Sequence, residues 1–268
     1  MKKLPVIIIS MFASCTIAPR ISVSNEIPVK SSVGIDGKIF ATAYMQRAAE
    51  YRALCFQAYN IAHLRVNEIA NKDYPRPKAL ITDIDETVLD NSPYEAHQTL
   101  QGKDYELASW AEWTAMANAD TVPGALSFLK YASSKGIEVF YVTNRGEKER
   151  DVTLKNLQKF NFPNADNAHI MLRENNSSKE ERRKSIAASY SVTMLLGDNL
   201  ADFDFLFDVR NTGDRMKNVN TSASEFGDRF IILPNFTYGD WESSLYNYTP
   251  SLTQSQKDSL IKAALITY

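Results

Sequence analysis

The sequence predicts an α/β fold: a Rossmann-like parallel sheet flanked by helices, with an added helical segment on the N-terminal side. Three observations predict the sheet and its helices. Short apolar runs alternate with helical patterns along most of the 268 residues. Connections between successive parallel strands must cross over, which puts helices on both faces of the sheet. Three of the apolar runs end on polar residues, Asp83, Thr143 and Asp198, and in open sheets of this kind ligands bind beyond the carboxyl ends of the strands.

The N-terminus stands apart from that pattern. Lys2 and Lys3 precede an apolar run from Leu4 to Ala13 that is too short to span a bilayer. This predicts a secretory signal peptide over residues 1–14. The run closes on Phe12-Ala13-Ser14-Cys15, small residues before a cysteine, as in the cleavage box of bacterial lipoproteins, although Phe12 stands where Leu or Val is usual. Cys15 is therefore the expected lipid attachment, with the protein held in the bacterial cell envelope at the outer-membrane or periplasmic face. The alternative is a plain signal peptide and a soluble secreted or periplasmic protein. With Cys15 lipidated, Cys55 is the remaining thiol and no intrachain disulfide can form.

Residues 15–38, rich in Ser, Pro, Val and Gly, read as a tether, and residues 39–268 as one domain. From Phe40 to Asn71 apolar residues recur at steps of three or four: Phe40, Tyr44, Ala48, Tyr51, Cys55, Ala58 and Ala62. That spacing predicts one buried helical stripe, ended by Pro75 and Pro77. Residues 79–82 form the first buried strand. A helix carries Trp110 and Trp113. Pro123-Gly124 opens a helix that Gly136 closes, and residues 137–142 make the next strand. A charged helix over 147–159, a short strand near 169–172, a helix from about Ser178 and strands over 192–196 and 230–233 follow. An amphipathic helix over 254–266 ends the chain. Composition is that of an ordinary globular protein, 44% hydrophobic and 23% charged, with net charge −2 and no basic block. It gives no support for a nucleic-acid polymer as partner.

The chemistry starts at Asp83 and Asp85. Extended backbone sends side chains two apart to the same side, so the first strand presents a carboxylate pair at its end. Such a pair binds a divalent cation, shares a proton, or divides the roles of nucleophile and acid. A plainer reading makes Asp85 the cap of a helix beginning near Glu86-Thr87, which leaves Asp83 unexplained. Asp198 and Asp202, four apart after a later strand, can face one way. Converging carboxylates with no His or Cys beside them suit a hard ion, Mg²⁺. The Thr143 hydroxyl and the Lys179 ammonium add donors for an anion, and the set together describes phosphoryl transfer. Singly, Thr143 is a common strand-end residue, Lys179 sits in a charged run whose default is a solvated helix face, and Asp198 and Asp202 fit helix caps. Their order after successive strands reverses that judgement.

Two segments carry a resemblance: Ile81-Thr82-Asp83-Ile84-Asp85-Glu86-Thr87-Val88-Leu89-Asp90-Asn91-Ser92-Pro93-Tyr94 and Leu196-Gly197-Asp198-Asn199-Leu200-Ala201-Asp202-Phe203. With them the chain, from about Phe40 to Trp241, resembles the class C bacterial acid phosphatases of the haloacid dehalogenase superfamily. Thr82 and Met194 depart from the residues usual there, both at packing positions. The resemblance implies a phosphomonoesterase that acts through an aspartyl-phosphate at acidic pH on nucleoside 5′-monophosphates and aryl phosphates. It implies Asp83 as nucleophile and Asp85 as acid and then base. It implies Mg²⁺ held by the Asp83 carboxylate, the Asp85 carbonyl and Asp198, with Asp202 supporting the metal waters. Thr143, with Asn144 beside it, and Lys179 would bind the phosphoryl oxygens, with Lys184 a rival to Lys179. Trp110 and Tyr238 would sandwich the ring of the leaving group, unless Trp110 only packs the core. The alternatives are a catalytically idle surface lipoprotein that binds ligands and another phosphotransferase of the same superfamily.

Overall fold

The computed structural model describes residues 32–268. The expected signal peptide, Cys15 and most of the expected tether lie outside the described residues. The chain from Ser32 to Tyr268 forms one unit. It opens on two helices, α1 (Val33–Arg47) and α2 (Ala49–Ala70).

Residues 33–38, expected as tether, are instead the first turns of α1. The Ser32 side chain caps them by accepting from the Ile35 N–H, and Ser32 Oγ and the Gly34 N–H both donate to Asp258 Oδ1, at 3.0 and 3.1 Å. The single predicted helix is broken at Ala48, whose backbone is extended (φ −77°, ψ 128°). The break resets the buried face, so α1 buries Ile35, Lys38, Thr42 and Met45, and Phe40, expected in the core, is 80% exposed. In α2 the expected stripe of Tyr51, Cys55, Ala58 and Ala62 is buried.

β1 (Lys78–Thr82) follows, then β2 (Leu89–Asp90), α3 (Ser92–Leu100), α4 (Leu107–Ala115) and β3 (Asp120–Thr121), which pairs antiparallel with β2. α5 (Ala125–Ser134) enters on Gly124 at φ 92°, where a Cβ would meet the Tyr59 ring at 2.9 Å. Next come β4 (Glu138–Gly146), α6 (Arg150–Lys159), β5 (Ile170–Arg173), α7 (Glu180–Ser189) and β6 (Ser191–Gly197). α8 (Thr212–Thr221), β7 (Phe230–Ile232), α9 (Asp240–Leu245) and α10 (Gln254–Ala264) complete the chain. α10 stops two residues short of expectation, and Ile266 beyond it is exposed. No helix among the described residues is long and apolar enough to cross a membrane.

The main sheet has five strands in the order β5-β4-β1-β6-β7, every neighbouring pair parallel. Alternation along the strands builds two cores. Leu80, Val139, Tyr141, Met194 and Leu196 pack with α2 and α5 on one face, and Ala79, Ile81, Phe140, Val142 and Leu195 pack with Ile186, Phe203 and Phe207 on the other. Thr82 and Met194 are fully buried, and the Thr82 hydroxyl donates to the Asp83 carbonyl at 2.8 Å. From β1 the chain builds outward to β4 and β5, then returns across β1 to β6 and β7. This reversal at the central strand opens a crevice at its carboxyl end, the place where α/β sheets hold ligands.

Candidate active site

Asp83 leaves the end of β1 with its N–H still in the ladder, donating to the Leu196 carbonyl of β6 at 2.9 Å. The backbone is thereby fixed where the carboxylate emerges. Lys179, at the start of α7 and 4% exposed, donates from Nζ to Asp83 Oδ1 and reaches Asp202 Oδ1 at 2.6 Å. Its burial opposes the charge, but Asp202 and Asp83 outweigh burial and hold the ammonium above its ordinary value. Lys184, the rival, points to solvent and pairs with Glu181 at 3.1 Å. Burial pushes the Asp83 carboxyl well up, Lys179 opposes it, and Asp202, Asp198 and Asp85 add to the rise.

Asp198 follows β6. Its Oδ1 accepts from Thr87 Oγ1 at 3.1 Å and its Oδ2 from Asn235 Nδ2 at 2.8 Å. Burial and then Asp202 push it up to about 7, against the Asn235 hydrogen bond. Asp202 ends a 3₁₀ turn, Leu200–Asp202, and its Oδ2 accepts from the Asn199 N–H at 3.0 Å. The carboxylate folds back over Gly197 so closely that a Cβ there would lie 2.2 Å from Asp202 Oδ2. Asp83, Asp198 and Asp202 each offer an oxygen, and the three oxygens lie within 4.8 Å of one another. Three carboxylates face one ammonium, with oxygen donors throughout, which fits a hard divalent cation. A bound cation would reverse the upward push on these acids.

Asp85 turns its carboxylate to a different set of partners. Arg145 grips it from Nε and Nη2, Asn91 Nδ2 donates at 2.9 Å, and Thr143 Oγ1 donates at 3.4 Å. No helix begins at Glu86-Thr87, so Asp85 is not a helix cap. Glu86 adopts φ 57°, and the N–H groups of Val88 and Leu89 both donate to the Ile84 carbonyl at 2.8 Å, turning the chain back before α3 begins at Ser92. The Glu86 carboxylate is buried, accepts from the Asn91 N–H at 2.8 Å and receives the Tyr238 hydroxyl.

Of the remaining expected residues, Thr143 Oγ1 also accepts from the Arg145 N–H at 3.0 Å. Asn144 is exposed, and its Oδ1 accepts from Arg182 Nη2 at 2.8 Å. Trp110 is 9% exposed: its Nε1 donates to Glu149 Oε1 at 3.0 Å, Tyr94 meets its ring edge-on at 5.1 Å, and the Arg145 guanidinium lies 5.5 Å from the ring. It packs and also forms wall, because Trp110, Tyr238 and the catalytic candidates line one cavity of about 840 Å³. Sequence reasoning missed Arg145, Glu86, Thr87, Asn91 and Asn235. Arg145 had a signal, since it lies two residues beyond Thr143 on extended chain and so shares its face. The others reach the site through loops that carry no periodicity.

Known proteins are similar to this chain in sequence and in fold. The family described as the HAD superfamily, subfamily IIIB (acid phosphatase), matches residues 25–241. The structure of the class C acid phosphatase from Bacillus anthracis is similar at TM-score 0.84 and 36% identity, covering 88% of this chain and 99% of that one. A second structure of that enzyme, with tungstate bound, gives TM-score 0.84 and 37% identity, covering 87% and 98%. Acid phosphatase 1 of Solanum lycopersicum is 29% identical over 82 residues, which is 31% of this chain and about a third (32%) of the length of that relative.

Proposed function

Because this chain belongs to the acid phosphatases of subfamily IIIB of the HAD superfamily, we propose that it hydrolyses phosphomonoesters, among them nucleoside 5′-monophosphates and aryl phosphates, through an aspartyl-phosphate on Asp83. The observation that carries this reading is the placement of Asp83 at the end of the central strand, touched by the Lys179 ammonium and within 4.8 Å of the oxygens of Asp198 and Asp202. Asp83 attacks phosphorus in line with the ester oxygen. That oxygen leaves with the P–O electron pair and takes a proton from Asp85. Asp85, now a carboxylate, takes a proton from water, whose oxygen attacks the phosphorus of the aspartyl-phosphate. Phosphate departs and the Asp83 carboxylate is restored.

Asp85 suits the two-way proton transfer because Arg145, Asn91 and Thr143 hold its carboxylate in one orientation. Lys179, kept protonated by Asp202 and Asp83, donates to the phosphoryl oxygens, and the Thr143 hydroxyl and Asn144 would add donors from β4, the strand beside β1. Asp83, Asp198, the Asp85 carbonyl and Asp202 would hold Mg²⁺, which offsets the negative charge of the phosphoryl group when bound. The tungstate in the Bacillus anthracis enzyme supports an oxyanion in a site of this fold. Trp110 and Tyr238 would flank the ring of the leaving group, Tyr238 being held from behind by Glu86. Cys15 would tie the enzyme by lipid to the bacterial cell envelope. Hydrolysis of p-nitrophenyl phosphate at pH 5–6, with and without EDTA, tests the reading. Turnover that EDTA stops and Mg²⁺ restores is expected. No turnover with Mg²⁺ present would overturn the phosphatase assignment, and full turnover in EDTA the metal.

A further inference from the structure

A second group of charges lines the cavity that holds the aspartates: Lys38 of α1, Glu95 of α3, Asp104, Glu242 of α9 and Lys257 of α10. Among the described residues, none of the five hydrogen-bonds to Asp83, Asp85, Asp198 or Asp202. Four of them are committed to one another. Asp104 Oδ1 accepts from Lys38 Nζ at 2.6 Å and its Oδ2 from Lys257 Nζ at 2.7 Å. Lys38 Nζ also meets Glu242 Oε2 at 3.2 Å, and Glu242 Oε1 accepts from the Tyr246 hydroxyl at 3.2 Å.

Glu95 is different. It is 7% exposed, yet among the described residues no hydrogen bond and no ion pair within 4.0 Å reaches its carboxylate. Its oxygens are not sealed from the cavity, because among the described residues the buried side-chain atoms left without a partner are Thr42 Oγ1 and Tyr51 Oη, so a donor that enters the cavity can reach this unclaimed carboxylate. Three acids stand against two lysines here, so the group that completes the cluster is a donor rather than an acceptor. Burial pushes the Glu95 carboxyl up to about 7, with Lys38 opposing, the behaviour of an acid short of donors.

We propose that Glu95 is a recognition subsite for the leaving group, selecting phosphomonoesters whose alcohol portion carries an N–H donor, an aromatic amine or an alkylammonium, over analogues without it. The proposal rests on the phosphatase reading and names the substrates that this cleft favours. Lys38 and Glu242 are each committed to a partner, which leaves the Glu95 carboxylate as the acceptor for an incoming N–H.

The test uses the full chain and the ratio of kcat/KM within matched pairs, so that a general loss of activity cancels. One pair is adenosine against purine riboside 5′-monophosphate, which differ by the exocyclic ring amine alone. The other is 6-aminohexyl against hexyl phosphate, and p-nitrophenyl phosphate is the reference. The wild type should favour the amino member of at least one pair about tenfold, and Glu95→Gln should bring that ratio close to one. Preference in the first pair identifies a base amine, and in the second an alkylammonium. Wild-type ratios near one in both pairs, or a preference that survives Glu95→Gln, would overturn the subsite while leaving the phosphatase standing. Hydrolysis of none of the five compounds would overturn both. Should Glu95→Gln not fold, Glu95→Ala and the wild-type ratios decide the matter by the same criteria.

Discussion

Arg145 holds both oxygens of Asp85: its Nε lies 3.0 Å from Oδ1 and 3.2 Å from Oδ2, and its Nη2 lies 2.8 Å from Oδ1. The guanidinium is itself locked, 3% exposed, with Nη1 donating to Thr153 Oγ1 at 3.2 Å and its Cζ 5.5 Å from the centroid of the Trp110 ring. Two strand ends are thereby joined through a planar fork, and the carboxylate proposed to pass protons has one orientation.

A lysine at that position keeps the charge and loses the fork. Arg145→Lys should therefore lower kcat about 10–100-fold, part of the contribution of general acid–base catalysis, with KM changed little. Steady-state kinetics on p-nitrophenyl phosphate, with circular dichroism to show that the fold stands, checks this. An unchanged kcat would mean that Asp85 needs no orientation by Arg145.

Asp83 and Asp85 should fail in different ways. Asp83→Asn removes the nucleophile, so no burst of leaving group should appear with any substrate. Asp85→Asn removes the proton donor, a loss of roughly 10²–10⁴-fold where the leaving group needs help. An aryl phosphate expels an acidic phenol and needs little, whereas a nucleoside monophosphate needs much. Pre-steady-state bursts on both classes test the assignment: a burst from Asp83→Asn, or equal damage to both classes by Asp85→Asn, would reject it.

Gly197 makes a prediction about the metal site. The Cβ of an alanine there would stand 2.2 Å from Asp202 Oδ2 and 2.4 Å from Asp202 Cβ, so Asp202 must withdraw. Gly197→Ala should cost about 1–3 kcal/mol of stability through overpacking and raise the Mg²⁺ concentration needed for half-maximal activity. Thermal melts and metal titrations of wild type and variant measure both effects. A variant that needs no more Mg²⁺ than the wild type would show that Asp202 has no part in holding the ion.

The sheet and the acids at its strand ends were legible in the sequence because both follow from strand periodicity. A buried strand must be apolar for its whole length, so its polar end stands out, as at Asp83, Thr143 and Asp198. The break at Ala48 was not legible, because an alanine favours helix and the extended backbone is imposed by tertiary packing. Phe40 was misplaced for that reason. Glu86 was missed because it takes a left-handed conformation, more often found at glycine or asparagine, inside a loop whose bonds are set by Ile84 and Leu89. Lys179 looked like one charge among several in its run. Only the fold separates it from Lys184, by burying it beneath two carboxylates.

Glu95 makes a prediction about stability and pH that is independent of turnover. Its carboxyl is raised from 4.5 to about 7, by burial first and by Asp104 and Glu242 next, with Lys38 opposing. Between those two pH values the folded protein keeps a proton that the unfolded chain has released, so stability falls as pH rises across this window. The stabilising contribution is complete below about 4.5 and gone above about 7. Asp104 runs the other way, because Lys38 and Lys257 outweigh its burial and hold it far below the ordinary carboxylate range. It titrates below the window and leaves the slope untouched. Glu95→Gln carries no such proton. The difference in unfolding free energy between wild type and variant should be constant below pH 4.5, shift against the wild type by roughly 1–3 kcal/mol across the window, and level off above pH 7. Urea unfolding of both proteins from pH 4 to pH 8 measures that difference. A flat difference would mean that the Glu95 carboxylate already has a partner in the folded protein.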